Sequence, residues 1–383
     1  MLKRVLPVVV CTLLLCGCRH AGNSVKPQLP AAVNPLEGMT LREKIGRMFI
    51  VRPESLDCGM VHFDEDGVIA EHGLGTVTDS MRACARRYPV GGVILFAHNI
   101  HDPSQLKEFT DSLHALYGSP LVCVDEEGGR VARLANNPSF GLPHTGSMEH
   151  LAAKKGASGV RDAAFTIGTY LREYGFEIDF APVADVNTNP NNIVIGSRAF
   201  SDKPEVAAAM VRSYLEGLQK TGVLGCLKHF PGHGDTSADT HFGYAVSCKC
   251  LEELERCELV PFRAGIAAGA RMVMTAHISL PAVTGSSVPS TLSPAVLQGI
   301  LREKLGFRGV IVTDAMEMGA ITRQYSVSDA CILAVKAGAD ALLCVRDYRA
   351  AVDSLESAVL RGDIPESRID ESVLRILSIR TSF

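Results

Sequence analysis

Short, uniformly apolar runs recur along the chain from residue 39 onward, and amphipathic segments fill the intervals between them. Eight of these runs are rich in Val, Ile, Leu, Phe or Met without polar alternation, which is typical of strands buried on both faces of a parallel sheet. They predict strands at residues 48–51, 92–96, 121–125, 177–183, 223–229, 272–276, 310–314 and 341–345.

Helix signals separate the predicted strands. Helices are predicted to begin at the capping box Thr40-Leu41-Arg42-Glu43, at Pro204 and at Ser293-Pro294, and two more should cover residues 160–174 and 365–378. Eight strand-then-helix units predict an α/β fold, a (β/α)₈ TIM-type barrel in a single catalytic domain. The alternative is a doubly wound sheet, which usually has a glycine-rich turn after its first strand, whereas residues 52–54 are Arg-Pro-Glu.

Polar residues of catalytic type follow the predicted strands at their carboxyl ends. These are Asp125 at the end of the third strand, Asp185 after the fourth, Lys228 and His229 at the end of the fifth, His277 after the sixth and Asp314 at the end of the seventh. Active sites of such barrels lie at the carboxyl ends of the strands, so these residues together predict an active site on that face.

The loop KHFPGHGDTSADTH, residues 228–241, allows three interpretations. A metal site is the first, but a metal-dependent barrel hydrolase usually has His-x-His at the end of its first strand, which here reads Ile50-Val51-Arg52. A phosphate-binding loop is the second, but the spacing is not GxxxxGK[ST], and Asp235 and Asp239 would repel an anion.

Acid–base chemistry is the third interpretation. Asp239 and His241 are two positions apart, so on an extended loop their side chains lie on the same side. The carboxylate can hold one imidazole nitrogen as N–H and leave the other free to exchange a proton. A surface loop whose Asp-x-His caps a turn would explain this pair alone, but the density of polar residues at the predicted rim favours acid–base chemistry.

Four motifs resemble glycoside hydrolase family 3, and in particular its β-N-acetylglucosaminidase branch. They are VDEEGGRVARL (124–134), GSRAFSD (196–202), KHFPGHGDTSADTH (228–241) and VTDAMEMGAI (312–321), and the resemblance extends over residues 39–380. It implies a retaining exo-β-N-acetylglucosaminidase that removes terminal β-linked N-acetylglucosamine from peptidoglycan fragments, chitooligosaccharides or glycans through a covalent glycosyl-enzyme. No metal and no organic cofactor are implied.

The resemblance also assigns residues. It makes Asp314 the nucleophile and His241 the acid/base, paired with Asp239, where most glycosidases use two carboxylates. The residues that match sugar contacts are Asp125, Arg133, Arg198, Lys228 and His229. Two alternatives remain: a β-N-acetylglucosaminide phosphorylase, since an imidazole repels phosphate less than a carboxylate does, and a non-catalytic glycan-binding lipoprotein.

The sequence departs from the family pattern in a few places. Glu126 stands where Gln is common, and its added charge could alter sugar selectivity or be paired. Thr240 replaces the usual Ser between Asp239 and His241. Many members carry a second α/β domain after the barrel, which is expected to be absent here. The connection at residues 53–89 is longer than usual and receives no role.

The first residues resemble a bacterial lipoprotein signal. Lys3 and Arg4 precede a short apolar core that ends in Leu15-Cys16-Gly17-Cys18, similar to a lipobox. This predicts a signal peptide at residues 1–17, a tether lipidated on Cys18 at residues 18–37, and the catalytic barrel at residues 38–383. An exported protein of the bacterial cell envelope is expected, with the outer membrane favoured because no Asp follows Cys18.

Composition limits the possible partners. The chain is 46% hydrophobic and 21% charged with a formal net charge of -4, and no long basic run occurs, so nucleic acid is not an expected partner. Trp is absent, so a sugar site must use polar contacts. The expected partners are a carbohydrate substrate and a membrane reached only through the lipid anchor. Cysteines 123, 226, 331 and 344 lie in apolar runs and should be small buried side chains.

Overall fold

The computed structural model describes residues 34–57, 73–238 and 245–380 of the chain. Three predicted functional residues, Cys18, Asp239 and His241, lie outside these ranges. The predicted signal peptide and most of the tether lie outside them as well.

Eight parallel strands form the central sheet. In chain order they are β1 (Phe49–Val51), β2 (Gly92–Leu95), β3 (Leu121–Val124), β4 (Ile178–Asp179), β5 (Leu224–Phe230), β8 (Met272–Thr275), β10 (Val310–Val312) and β11 (Leu342–Leu343), while β6 (Ser237–Ala238), β7 (Ala245–Val246) and β9 (Ile278–Ser279) form a separate sheet. All eight predicted strands are confirmed; seven are shorter than predicted and β5 is shifted by one residue, and every residue of these eight is buried.

The central sheet closes on itself. Its strand order is β10-β8-β5-β4-β3-β2-β1-β11, and a parallel bridge between Val312 and Ala341 joins the two outer strands. The backbone N–H of Thr313 also donates to the carbonyl of Ala341 at 3.0 Å. Since a doubly wound sheet has two open edges, this closure rules out the alternative and confirms the (β/α)₈ barrel.

Helices follow the strands around the barrel. They are α1 (Leu41–Arg47), α2 (Pro53–Leu56), α3 (Asp79–Arg87), α4 (Pro103–His114), α5 (Met148–Glu173), α6 (Pro204–Gln219), α7 (Leu251–Arg256), α8 (Leu259–Ala267), α9 (Pro281–Thr284), the π-helix Ala295–Lys304, α10 (Gly319–Thr322), α11 (Val327–Ala337), α12 (Tyr348–Leu360) and α13 (Glu366–Arg380). None of the helices in the described ranges is both long enough and apolar enough to span a membrane.

The start of helix α1 agrees with its sequence signal, whereas the start of α5 does not. The capping box of α1 is confirmed, because Thr40 and Glu43 each accept a hydrogen bond from the other's backbone N–H. Helix α5 starts twelve residues before the predicted start at 160, at Met148. Gly156 adopts a φ of 59° within it, and this break in the helical pattern hid the first half.

The amino-end face of the barrel is closed by an ionic cluster. Asp340, fully buried just before β11, pairs with Arg302 of the π-helix and with Arg368 and Arg375 of α13, the last at 2.9 Å. The cluster ties the final helix to the barrel. Because it lies opposite the carboxyl ends of the strands, its role is structural.

The four cysteines expected to be buried are buried and free. Burial raises the pKa of Cys123, Cys226, Cys331 and Cys344, which keeps these thiols protonated. They act as small apolar side chains in the barrel, as predicted.

Candidate active site

Three consecutive acidic residues follow β3, and their side chains go to opposite faces. Asp125 and Glu127 both reach Lys228 at the carboxyl-end face of the barrel, here called the rim. Glu126, between them, points into the protein and is fully buried. This alternation continues the period of two of the strand beyond its last paired residue.

Lys228, near the end of β5, links two of these carboxylates. Its Nζ lies 2.7 Å from Oδ1 of Asp125 and 2.5 Å from Oε1 of Glu127, and its side chain is only 2% exposed. Burial favours the neutral amine, but Asp125 and Glu127 outweigh it and raise the pKa of Lys228. The ammonium therefore stays charged at the rim.

Arg198 binds Glu127 through two nitrogens. Its Nε and one terminal nitrogen donate to the two oxygens of Glu127 at 2.8 and 2.7 Å, a bidentate pair. Burial opposes the ionisation of Glu127, but Lys228 and Arg198 outweigh it and lower the pKa of Glu127 to about 2. The second arginine, Arg133, lies 3.5 Å from Oδ2 of Asp125.

His229 is oriented by a buried carboxylate. Nδ1 of His229 lies 2.7 Å from Oδ2 of Asp185, and Nε2 of the same ring lies 3.4 Å from Arg198. The backbone N–H of His233 donates to the other oxygen of Asp185 at 2.6 Å. Burial works against the charge on Asp185, but His229 outweighs it and lowers the pKa of that carboxyl.

Asp314 follows β10 on the same rim. Its Oδ1 accepts the backbone N–H of Ala315 at 2.8 Å. Burial opposes ionisation, but His277, His229, the Ala315 N–H and Lys228 together lower the pKa of Asp314. The carboxylate form, which a nucleophile requires, is therefore favoured.

His277 approaches Asp314 from β8. Its Nδ1 lies 2.8 Å from the hydroxyl of Thr291, and its Nε2 lies 3.0 Å from the carbonyl of Ala315. Burial lowers the pKa of His277, so its ring is neutral near neutral pH and donates one hydrogen bond.

The loop that leads towards residues 239–244 is tightly held. Gly234 lies against the backbone of Val186, where a Cβ would fall 1.9 Å from the carbonyl oxygen, so no larger residue fits. Asp235 is 3.3 Å from Nζ of Lys249 and accepts from Thr188 at 3.2 Å. These contacts of Asp235 join the loop to residues on either side of it along the chain.

The family assignment rests on nearly the whole chain. The family model for the Glycosyl hydrolase family 3 N terminal domain matches residues 40–379. The chain belongs to glycosyl hydrolase family 3.

Relatives in family 3 are similar over different shares of their length. Beta-hexosaminidase LpqI of Mycobacterium tuberculosis is 37% identical over 96% of this chain and 94% of its own. Beta-hexosaminidase A of Pseudoalteromonas piscicida is 32% identical over 80% of this chain, which spans only 56% of that relative. A solved family 3 β-N-acetylglucosaminidase from Paenibacillus sp. superposes with a TM-score of 0.80 at 37% identity, covering 90% of this chain and 62% of that one.

The rim brings together the five residues that the sequence analysis matched to sugar contacts. Asp125, Arg133, Arg198, Lys228 and His229 form one connected network, since each is within 3.5 Å of another member or of Glu127. Asp314 is electrostatically coupled to this network through Lys228 and His229. Asp239 and His241 lie outside the described residues, and their predicted roles stay predictions.

Three further residues at the rim were assigned neither a catalytic role nor a sugar contact from the sequence. Glu127 joins Lys228 to Arg198, Asp185 orients His229, and His277 borders Asp314. Glu127 could have been found from strand alternation, because it lies two positions after Asp125 and must face the same way. Asp185 and His277 were already visible as polar ends of apolar strands.

A metal site was the first interpretation of the loop at residues 228–241. Within residues 34–57, 73–238 and 245–380, no three His, Cys, Asp or Glu side chains are arranged to hold a metal ion. His229 and His233, both in the loop 228–241, share Asp185 as a hydrogen-bond acceptor, His229 through its ring and His233 through its backbone.

Proposed function

We propose that the protein is a retaining exo-β-N-acetylglucosaminidase. One observation carries the proposal: in a family 3 barrel, Asp314 shares its rim with the buried network of Lys228, Glu127 and Arg198. A carboxylate kept ionised beside charged hydrogen-bond donors suits attack on a polyhydroxylated substrate.

Asp314 acts as the nucleophile in this proposal. Its carboxylate attacks the anomeric carbon, the glycosidic C–O bond breaks, and a covalent glycosyl-enzyme forms. His241, oriented by Asp239, gives its proton to the leaving oxygen. It then takes a proton from the water that releases the sugar, so two inversions retain the anomeric configuration.

The network of Asp125, Arg133, Arg198, Lys228 and His229 on the same rim binds the sugar. Asp125 accepts from sugar hydroxyls, Arg133, Arg198 and Lys228 supply donors, and His229 offers its Nε2. Their mutual ion pairs fix them before the sugar arrives, so little side-chain entropy is lost on binding. No cofactor enters the proposed reaction.

The substrate class is inferred from relatives. LpqI is named a β-hexosaminidase and the Paenibacillus protein a β-N-acetylglucosaminidase. We extend this to terminal β-linked N-acetylglucosamine on peptidoglycan fragments, chitooligosaccharides or glycans. The lipobox-like Cys18 supports a protein exported to the cell envelope and anchored by lipid, in the outer membrane where the cell has one.

A panel of aryl β-glycosides tests the activity. The purified protein should release aglycone from the 4-nitrophenyl β-N-acetylglucosaminide faster than from the β-glucoside. Phosphate should not raise turnover. Formation of N-acetylglucosamine 1-phosphate would instead establish a phosphorylase, and sugar binding without turnover would establish a glycan-binding protein.

Cell fractionation tests the anchor. The wild-type protein should sediment with membranes and take up labelled palmitate, and Cys18→Ser should lose both properties. The matched control is Cys16→Ser, which removes a neighbouring thiol ahead of the expected cleavage point and should leave both unchanged. Membrane association of Cys18→Ser would contradict the proposed anchor.

A further inference from the structure

Glu126 has a set of contacts unlike those of the acids on either side of it. Its Oε2 accepts the backbone N–H groups of Arg133 at 2.5 Å and Leu134 at 2.9 Å. Its Oε1 accepts the N–H of Ala135 at 2.9 Å and the hydroxyl of Tyr170 at 2.8 Å. Both oxygens are thus fully used, and the side chain is fully buried.

These contacts clamp the chain segment that carries Arg133. After β3 the chain reverses through Gly128 and Gly129, whose φ angles are 89° and 60°, and Gly128 bridges Val131 in the returning limb. Glu126 accepts hydrogen bonds from three successive backbone amides of that limb. This one side chain therefore fixes the position of the limb's backbone relative to the rim.

The position of the Arg133 guanidinium depends on the backbone position of this limb. It lies 3.5 Å from Asp125 and stands over the ring of Phe96, with 5.7 Å between the guanidinium carbon and the ring centroid. Its side chain is 25% exposed, so it is mostly covered by its neighbours but still reaches the surface of the rim, and the position of its backbone determines how far it extends there.

We propose that Glu126 is a positioning residue for sugar binding, acting through Arg133. The inference rests on the proposed function, since it takes Arg133 as a sugar contact. The sequence alone left open whether the charge of Glu126 alters sugar selectivity or is paired. Here the carboxylate is hydrogen-bonded inside the protein and influences the sugar only by positioning Arg133. A glutamine there has one acceptor oxygen in place of two, so it cannot satisfy all four donors.

The test compares Glu126→Gln with Tyr170→Phe. Glu126→Gln should raise KM for the aryl N-acetylglucosaminide about tenfold, as expected when one or two hydrogen bonds to the limb are lost, with kcat within about twofold. Tyr170→Phe is the matched control, because it removes a donor to the same carboxylate and leaves the limb amides bound. It should lower the melting temperature without changing KM.

A double-mutant cycle separates positioning from general structural support. In an Arg133→Ala background, Glu126→Gln should change KM by less than about twofold, because the group it positions is gone. An equal rise of KM in both backgrounds would overturn the proposal, and so would an unchanged KM for a folded Glu126→Gln protein.

The two proposals can fail separately. A wild-type protein without hydrolytic turnover defeats the proposed activity alone. The double-mutant cycle is then repeated with the Kd for N-acetylglucosamine, measured by calorimetry. Glu126→Gln should raise this Kd about tenfold in the wild-type background and leave it nearly unchanged in the Arg133→Ala background. Equal effects on Kd in both backgrounds would overturn the role of Glu126.

Discussion

Asp185 holds His229 by its ring, with 2.7 Å between Oδ2 and Nδ1. The same carboxylate accepts the backbone N–H of His233 at 2.6 Å, so it connects the end of β5 to the loop that follows. Asp185 is fully buried, and its hydrogen bonds replace the water that a carboxylate otherwise requires.

Asp185→Asn should therefore disable sugar binding at His229 and displace the loop. We expect kcat/KM to fall about 100-fold, the usual order when one partner of a buried charged pair is removed. The measurement is kcat/KM beside a melting curve. Asp202→Asn, at an exposed carboxylate, is the control and should behave as wild type. A kcat/KM for Asp185→Asn within threefold of wild type would show that Asp185 has no such role.

The ion pairs of Glu127 should make stability pH-dependent in acid. The pKa of Glu127 falls from its ordinary 4.5 to about 2 in the folded protein. Its contribution is thus complete above about pH 4.5 and is lost as pH falls towards 2, an effect of about 3 kcal/mol.

Melting curves measured between pH 5 and pH 2 test this expectation. The melting temperature of the wild type should fall more steeply than that of Glu127→Gln, which cannot titrate at this position. Parallel curves for the two proteins would mean that Glu127 ionises normally in the folded state. Glu205→Gln, at an exposed carboxyl on α6, should follow the wild type and is the matched control.

The fold followed from the sequence because parallel barrel strands are buried on both faces, and the run at 310–314 and its seven counterparts show this directly. Rim residues such as Asp314 were visible because polar side chains interrupt apolar runs. Pairings were not visible. That Glu127 joins Lys228 to Arg198, residues 101 and 71 positions away respectively, depends on strand order and register, which no local pattern encodes.

Asp314→Ala should abolish turnover of the aryl N-acetylglucosaminide almost completely, because no other carboxylate replaces the nucleophile. Azide added to the variant should restore release of the aryl group by direct attack and leave an α-glycosyl azide, the product of one inversion. Product analysis by NMR identifies the anomer. A β-glycosyl azide, or full activity without azide, would remove Asp314 from the nucleophile role.

His277 should set the acidic limb of the pH–rate profile. Burial raises the pKa of Asp314, and the largest influence that lowers it is His277, whose imidazole gains its positive charge in acid. Without it the Asp314 pKa rises, so His277→Asn should lose kcat/KM at a higher pH than the wild type does. His98 lies in the turn after β2 and is not among the groups that shift the pKa of Asp314, so the pH–rate profile of His98→Asn should match the wild type. Superimposable profiles for all three proteins would refute the coupling.

The acid/base role of His241 is tested by changing the leaving group. An aryl group of low pKa departs without protonation, whereas an alkyl or sugar alcohol needs a proton as the bond breaks. His241→Ala should therefore lose about 100-fold or more on chitobiose and far less on the 2,4-dinitrophenyl glycoside. Asp239→Asn should show the same pattern more weakly, since it disturbs only the orientation of the imidazole. Equal losses on both substrates would show that His241 moves no proton to the leaving oxygen, and the acid would have to be sought elsewhere on the rim.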